Sequence, residues 1–307
     1  MSASAYKGYI YAALAAASYG TNPIFAKPLY NDGMNPDSVL FFRYALGLVL
    51  LAVMMLWNGY RRHDVRSSFV VSRHSIPQLI LMGILMALSS LTLFVSYNYM
   101  PVGIASTLLF IYPILVAVIM TLCFREKMSW LVVVCLILAC SGIGLLCKSD
   151  SPAPEVADSS LPISPFMIGL LMVMLSSLSY AIYLVGLNKT RLRTVASMPV
   201  TFYVIFFGMF LFVWRLIFSA PFTMPDHWSM WANLFGLGFF PTVVSLICTA
   251  KAIQNIGSTQ TAIFGALEPV TAVILGIIIL GETISLREFC GMIMILGAVT
   301  LVVCRKK

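Results

Sequence analysis

The sequence predicts an all-α integral membrane protein: ten transmembrane helices arranged as two inverted five-helix repeats around a central cavity. Three observations carry this expectation. Hydrophobic residues make up 60% of the chain and charged residues 10%, with a mean hydropathy of +0.96, whereas about a quarter of the residues of a soluble domain are charged. Ten apolar runs approach the roughly 20 residues that cross a bilayer. The two halves also resemble each other, because a shift of about 156 positions lays Pro113 on Pro269, Glu126 on Glu282, Ser129 on Ser285 and Ser89 on Ser245. Each half reads proline, apolar run, glutamate. Internal similarity at half the chain length marks duplicated transport folds, whose repeats meet at a midplane site.

The crossings fall at about residues 8–27, 38–57, 76–97, 102–124, 128–147, 165–187, 198–219, 231–252, 258–280 and 286–304. The first imitates a signal peptide, since Lys7 precedes it and Ala13, Leu14 and Ala15 resemble a cleavage site. A shift of about 161 opposes that reading: it places Gly8 on Gly169, and Ser18 and Tyr19 on Ser179 and Tyr180, so crossing one is the counterpart of crossing six. Residues 1–147 are then the first repeat and 165–307 the second. Between them, 148–164 holds Pro152, Pro154, Pro162, Glu155, Asp158 and several serines. Such a composition buries no core and reads as an external linker.

Orientation follows from the basic residues in alternate loops. With the N-terminus in the cytoplasm, that side collects fourteen of them, among them Lys7, Arg61, Arg62, Arg66, Arg73, Arg125, Lys127, Lys189 and Lys307, against Lys27, Lys148 and Arg287 on the other. The bias places both termini inside. Five crossings per repeat is an odd number, so the halves are inverted with respect to one another.

Polar side chains inside hydrocarbon must face protein or water. Ser89, Thr92 and Ser96 share a face of crossing three, and Thr242, Ser245 and Thr249 repeat that spacing on crossing eight. Ser176, Tyr180 and Tyr183 share a face of crossing six, expected to meet Tyr19 and Asn22 of crossing one across the cavity. On crossing nine, Thr261, Phe264, Gly265 and Ala272 form a stripe around Glu268, about eleven residues into its segment. A carboxylate left ionised and unpaired at that depth costs more than one that takes up a proton. Glu268 is therefore read as a proton carrier or as the counter-ion of an ammonium-bearing substrate, the bland alternative being a protonated carboxyl bonded to a neighbouring helix. Tyr112 occupies its repeat position. Arg43, in the outer third of crossing two, is read as substrate contact, structural ion pair or snorkelling group. Arg215 and Lys251 read as snorkelling groups, and Glu126 and Glu282 as boundary groups. Pro23, Pro113, Pro241 and Pro269 each free a backbone carbonyl near mid-depth, where it could bind substrate. The bland reading of the serines and threonines is close helix packing.

Other chemistries find little support. The seven cysteines form no CxxC pair and stand near no histidine, so no disulfide framework or metal site is expected. The three histidines fall in loops. The net charge of +8 sits in short gaps between apolar runs, which argues against a nucleic-acid partner. No phosphate-binding GxxxxGK[ST] is present, and no cofactor is expected.

Tyr19, the stretch FFRYALG around Arg43, the paired segments LLFIYPILVAV and GALEPVTAVIL, and the trailing Glu126 and Glu282 resemble the ten-helix EamA-type branch of the drug/metabolite transporter superfamily. The resemblance covers nearly the whole chain, and the proline-to-glutamate spacing in both halves is its specific part. It implies alternating access around a central cavity and export of amino acids or other small metabolites. Lys251 with Gln254 and Asn255 departs from the family pattern. The expectation is a non-enzymatic secondary transporter in a bacterial inner membrane, with a small-molecule substrate, protons as coupling ion, and a site formed by Glu268, Tyr112, Tyr19, Asn22, Ser89, Tyr180, Tyr183, Ser245, Phe264 and Arg43. The competing classes are a membrane enzyme acting on a lipid or prenyl substrate, which would want clustered acidic or histidine residues in a water-facing loop, and a non-transporting receptor. Flux in proteoliposomes separates a transporter from a receptor.

Overall fold

A computed structural model describes residues 3–61, 69–124, 130–146, 164–190, 192, 195–265 and 267–305. The linker, apart from Ser164, lies outside these residues, as does Glu126. The described chain is helical and contains no strand. The helices are α1 (Ala3–Tyr19), α2 (Asn22–Asn31), α3 (Pro36–Arg61), α4 (Ile76–Ser96), α5 (Val102–Leu109), α6 (Tyr112–Phe124), α7 (Trp130–Leu146), α8 (Pro165–Lys189), α9 (Ser197–Phe218), α10 (Trp228–Gly238), α11 (Ser245–Phe264), α12 (Leu267–Leu280) and α13 (Leu286–Arg305). A π-turn, Phe239–Val244, joins α10 to α11.

Among the described residues six helical stretches are long and apolar enough to cross a membrane: Pro36–Arg61, Arg73–Ser96, Val102–Phe124, Pro165–Leu187, Met198–Phe218 and Trp228–Thr249. The other predicted crossings fall on α1 with α2, on α7, on the end of α11 with α12, and on α13. The surface fits a lipid solvent. Val49, Val53, Phe210, Ile217 and Ile278 are exposed on helix flanks, and Trp57, Trp130, Trp214 and Trp228 are exposed toward helix ends, as in an interfacial aromatic belt.

Helices from the two halves interlock. Crossing two packs on seven, three on six, four on nine, five on ten and one on eight. Exchanging each crossing with the one five later leaves that set unchanged, which is what two equivalent halves require. Crossing three also packs on seven. There Gly83 and Gly208 let backbones touch: a Cβ on Gly83 would lie 2.8 Å from the Val204 carbonyl oxygen and 2.9 Å from the Gly208 nitrogen.

One boundary differs from the expectation. The predicted separation of crossings eight and nine near 253–257 is absent, and α11 runs through as one helical stretch. In the first half Pro101 stands at the equivalent place as the N-cap of α5 and ends the helical ladder. Gly257 has an N–H and leaves the ladder unbroken, and Asn255 donates from its side chain to the Lys251 carbonyl at 2.7 Å.

At one end of the molecule polar ties join the halves. Arg215 forms an ion pair with Asp37, Asn35 donates to the Pro221 carbonyl, and the Thr223 N–H donates to Ser38 Oγ at 3.0 Å. Arg215 is thus a structural ion-pair partner, not the snorkelling group its position suggested. At the same end Gly281, with φ +67°, closes α12 by a bond from the Glu282 N–H to the Gly276 carbonyl at 3.1 Å. That turn delivers the Glu282 carboxylate to the free N–H groups of Val102 (2.8 Å) and Gly103 (3.3 Å), so the second half caps a helix of the first. Ser285 and Glu288 form a reciprocal capping box at the start of α13.

Candidate functional site

The site is built by the prolines. Each removes the N–H that would bond the carbonyl four residues earlier, and an orphaned carbonyl in hydrocarbon needs another donor. All four find one. Asn22 Nδ2 donates to the Tyr19 carbonyl freed by Pro23 (2.9 Å). Ser177 Oγ, from α8, donates to the Leu109 carbonyl freed by Pro113 (3.1 Å). Thr242 Oγ1 donates to the Leu237 carbonyl freed by Pro241 (3.0 Å), and the Glu268 N–H donates to the Gly265 carbonyl freed by Pro269 (3.0 Å). Each freed carbonyl thus accepts one hydrogen bond from within the chain.

The residues that make the repairs become the polar groups of the centre. With its amide nitrogen committed to Tyr19, Asn22, 2% exposed, keeps Oδ1 buried without a hydrogen-bond partner. Thr242, its proton committed to Leu237, accepts from Arg43 Nε at 3.1 Å.

Crossings one, four and nine each break, before Pro23, Pro113 and Pro269. The breaks of one and nine meet so closely that a Cβ on Gly20 would lie 2.5 Å from the Glu268 carbonyl oxygen. A cavity of about 10 Å³ opens there, lined by Tyr19, Gly20, Asn22, Pro23, Leu93, Tyr97, Ser106, Leu109 and Glu268. That is room for about one water. No ion pair to Glu268 exists among the described residues.

The predicted residues divide into three groups. Glu268, Tyr19 and Asn22 line the cavity together. Tyr112 and Tyr180 stack edge to face at 4.8 Å, and Tyr180 lies on Tyr183 at 5.8 Å. The tyrosine face of crossing six therefore packs on Tyr112 of crossing four. The other four are not among the residues that line this cavity. Ser176 Oγ donates to the Ser89 carbonyl at 2.7 Å and pairs with Ser89 Oγ at 3.1 Å. Ser245 is buried in the helix next to the π-turn. Phe264 meets the Tyr9 ring at 5.4 Å. Arg43, 3% exposed, is held by Thr242 and by the Phe94 ring 5.3 Å away. It forms no ion pair among the described residues, which removes the ion-pair reading.

Sequence reasoning missed Tyr97 and Ser106, which line the cavity beside Glu268. Tyr97 stands at the end of a predicted crossing and Ser106 in an apolar run. Their one signal is that both are polar groups within a few residues of Pro101.

Comparisons with known proteins agree with the fold. An uncharacterized transporter of Clostridium kluyveri is 22% identical over 94% of this chain and 91% of its own length. The uncharacterized transporters YyaM and YcbK of Bacillus subtilis are each 24% identical, YyaM over 95% of this chain and 92% of its own and YcbK over 92% and 88%. A solved crystal structure, 14% identical, superposes with a TM-score of 0.64 over 98% of both chains and shares the fold. The model of the EamA-like transporter family matches twice, over residues 6–147 and 167–304. Two matches covering nine-tenths of the chain, one in each half, leave one assignment: the protein belongs to the EamA-like transporter family.

Proposed function

We propose that this transporter exports a small metabolite, such as an amino acid, across a bacterial inner membrane by alternating access between two inverted repeats, residues 1–147 and 165–307, coupled to protons at Glu268. The carrying observation is the placement of Glu268 beside Asn22 where crossings one and nine break and meet. Broken helices at mid-depth place charge where two repeats can move around it. Tyr112 and the Tyr180–Tyr183 pair extend an aromatic wall toward the same centre, a surface on which cargo can slide without being held. The cavity admits about one water, so cargo larger than that enters only when the halves part. The end tied by Arg215–Asp37 and the Glu282 cap is the one that must release for exit. Family and relatives point to transport and not to catalysis.

The test begins with metabolites accumulating in the medium of cells that overproduce the chain. The purified protein is then placed in liposomes loaded with the metabolite that rises most. Efflux accelerated by an inward proton gradient is the expected result; no efflux of any metabolite found in the screen ends the proposal.

Orientation has its own expected result. With both termini cytoplasmic and the linker external, an impermeant thiol reagent added to intact cells labels Ala157→Cys and spares Ser67→Cys. The reverse pattern inverts the topology.

A further inference from the structure

We propose that the cavity at the helix breaks binds a single dehydrated monovalent cation of sodium size, held by the Asn22 amide oxygen and the Glu268 carboxylate, with the proton as its competitor. The proposal rests on reading Glu268 as the coupling carboxylate and adds a second ion to it.

Four observations converge. The first is the orientation of Asn22. Its amide nitrogen replaces the donor that Pro23 lacks, so the assignment of nitrogen and oxygen is fixed by chemistry, since the opposite one would set two oxygens against each other. What remains is Oδ1, an acceptor with no partner, on a residue 2% exposed that lines the cavity. A buried acceptor without a donor is costly enough to call for an occupant.

The second is the character of the wall. Five of the nine lining residues have a side-chain oxygen: Tyr19, Asn22, Tyr97, Ser106 and Glu268. The one side-chain nitrogen among them, Asn22 Nδ2, is committed to the Tyr19 carbonyl. Oxygen-only surroundings suit hard cations. Among the described residues no cluster of three His, Cys, Asp or Glu side chains exists, so the surroundings do not suit a transition metal.

The third is charge. One carboxylate is neutralised by one positive charge, whereas a divalent ion would leave a net charge buried in hydrocarbon. No basic residue lines the cavity: Arg43 is engaged by Thr242 and the Phe94 ring, and Lys27 Nζ donates to the Tyr97 carbonyl at 3.4 Å. The remaining titratable groups facing Glu268 are the phenols of Tyr19, Tyr97, Tyr112 and Tyr180. The fourth is size. A volume of about 10 Å³ sits at the threshold for one water and matches an ion stripped of its shell.

A bound ion would neutralise Glu268 without a proton, and the two would exclude each other because both need the same oxygens. The test uses the purified full-length protein and its thermal unfolding midpoint in sodium chloride against choline chloride at equal ionic strength, at pH 8 and pH 6. Ligand binding to the folded state raises the midpoint saturably. The expected result is a sodium-specific rise at pH 8, smaller at pH 6, and absent in Glu268→Gln and in Asn22→Ala. Should Asn22→Ala fail to fold because the Tyr19 carbonyl loses its donor, Ser106→Ala removes a different oxygen from the same wall and is expected to weaken the sodium response. Equal midpoints in sodium and choline overturn the proposal, and so does a sodium response that persists in Glu268→Gln. Neither outcome touches the proposed export, which stands or falls on flux.

Discussion

Glutamine in place of Glu268 is expected to reduce proton-driven export to the level of protein-free liposomes while leaving downhill exchange of the same metabolite in place. The substitution is close to isosteric, so the helix break, the Glu268 N–H bond to the Gly265 carbonyl and the approach of Gly20 all remain. What disappears is the group that loses and regains a proton as the cavity opens to each side. Paired measurements in liposomes, with and without a pH difference, separate the roles. Loss of both modes identifies Glu268 as counter-ion to a cationic cargo. Transport equal to the parent at every pH makes the carboxyl structural and removes the basis of the proposed coupling.

Much of this centre is legible in the sequence, because a carboxylate deep in an apolar run has few fates. Tyr19, Asn22 and Glu268 read as site residues, and the structure sets all three on one cavity. The proline positions are legible too, but not what satisfies the carbonyls they free. Those donors come from a neighbour in the chain at Pro23, Pro241 and Pro269, and from another helix at Pro113, where Ser177 arrives from α8. A polar stripe at helical spacing says that a face is turned inward; it does not say whether that face meets protein or water. Ser89 and Ser176 pair with each other, and Arg43 meets Thr242 and the Phe94 ring. Tyr97 and Ser106 line the cavity from either side of Pro101, the N-cap of α5, a tertiary placement without periodicity of its own.

Alanine at Gly20 is expected to damage both stability and transport, although it adds a single methyl group. The Cβ would lie 2.5 Å from the Glu268 carbonyl oxygen and 2.8 Å from Thr271 Cβ. The first of these atoms is backbone, so no rotamer change relieves the contact and crossings one and nine must separate. Overpacking of this kind costs about 1–3 kcal/mol, and the displacement falls on the cavity wall that holds Asn22 and Glu268. Gly144 in α7 supplies the comparison, since nothing lies within 4 Å of the point where its methyl group would stand. Alanine there removes a helix-interior glycine and is expected to be neutral or stabilising by up to about 1 kcal/mol. Thermal unfolding and liposome flux of the two variants, side by side, decide the point. If Gly20→Ala unfolds and transports like Gly144→Ala, crossings one and nine do not meet at this break, and the joint site of Asn22 and Glu268 has no structural basis.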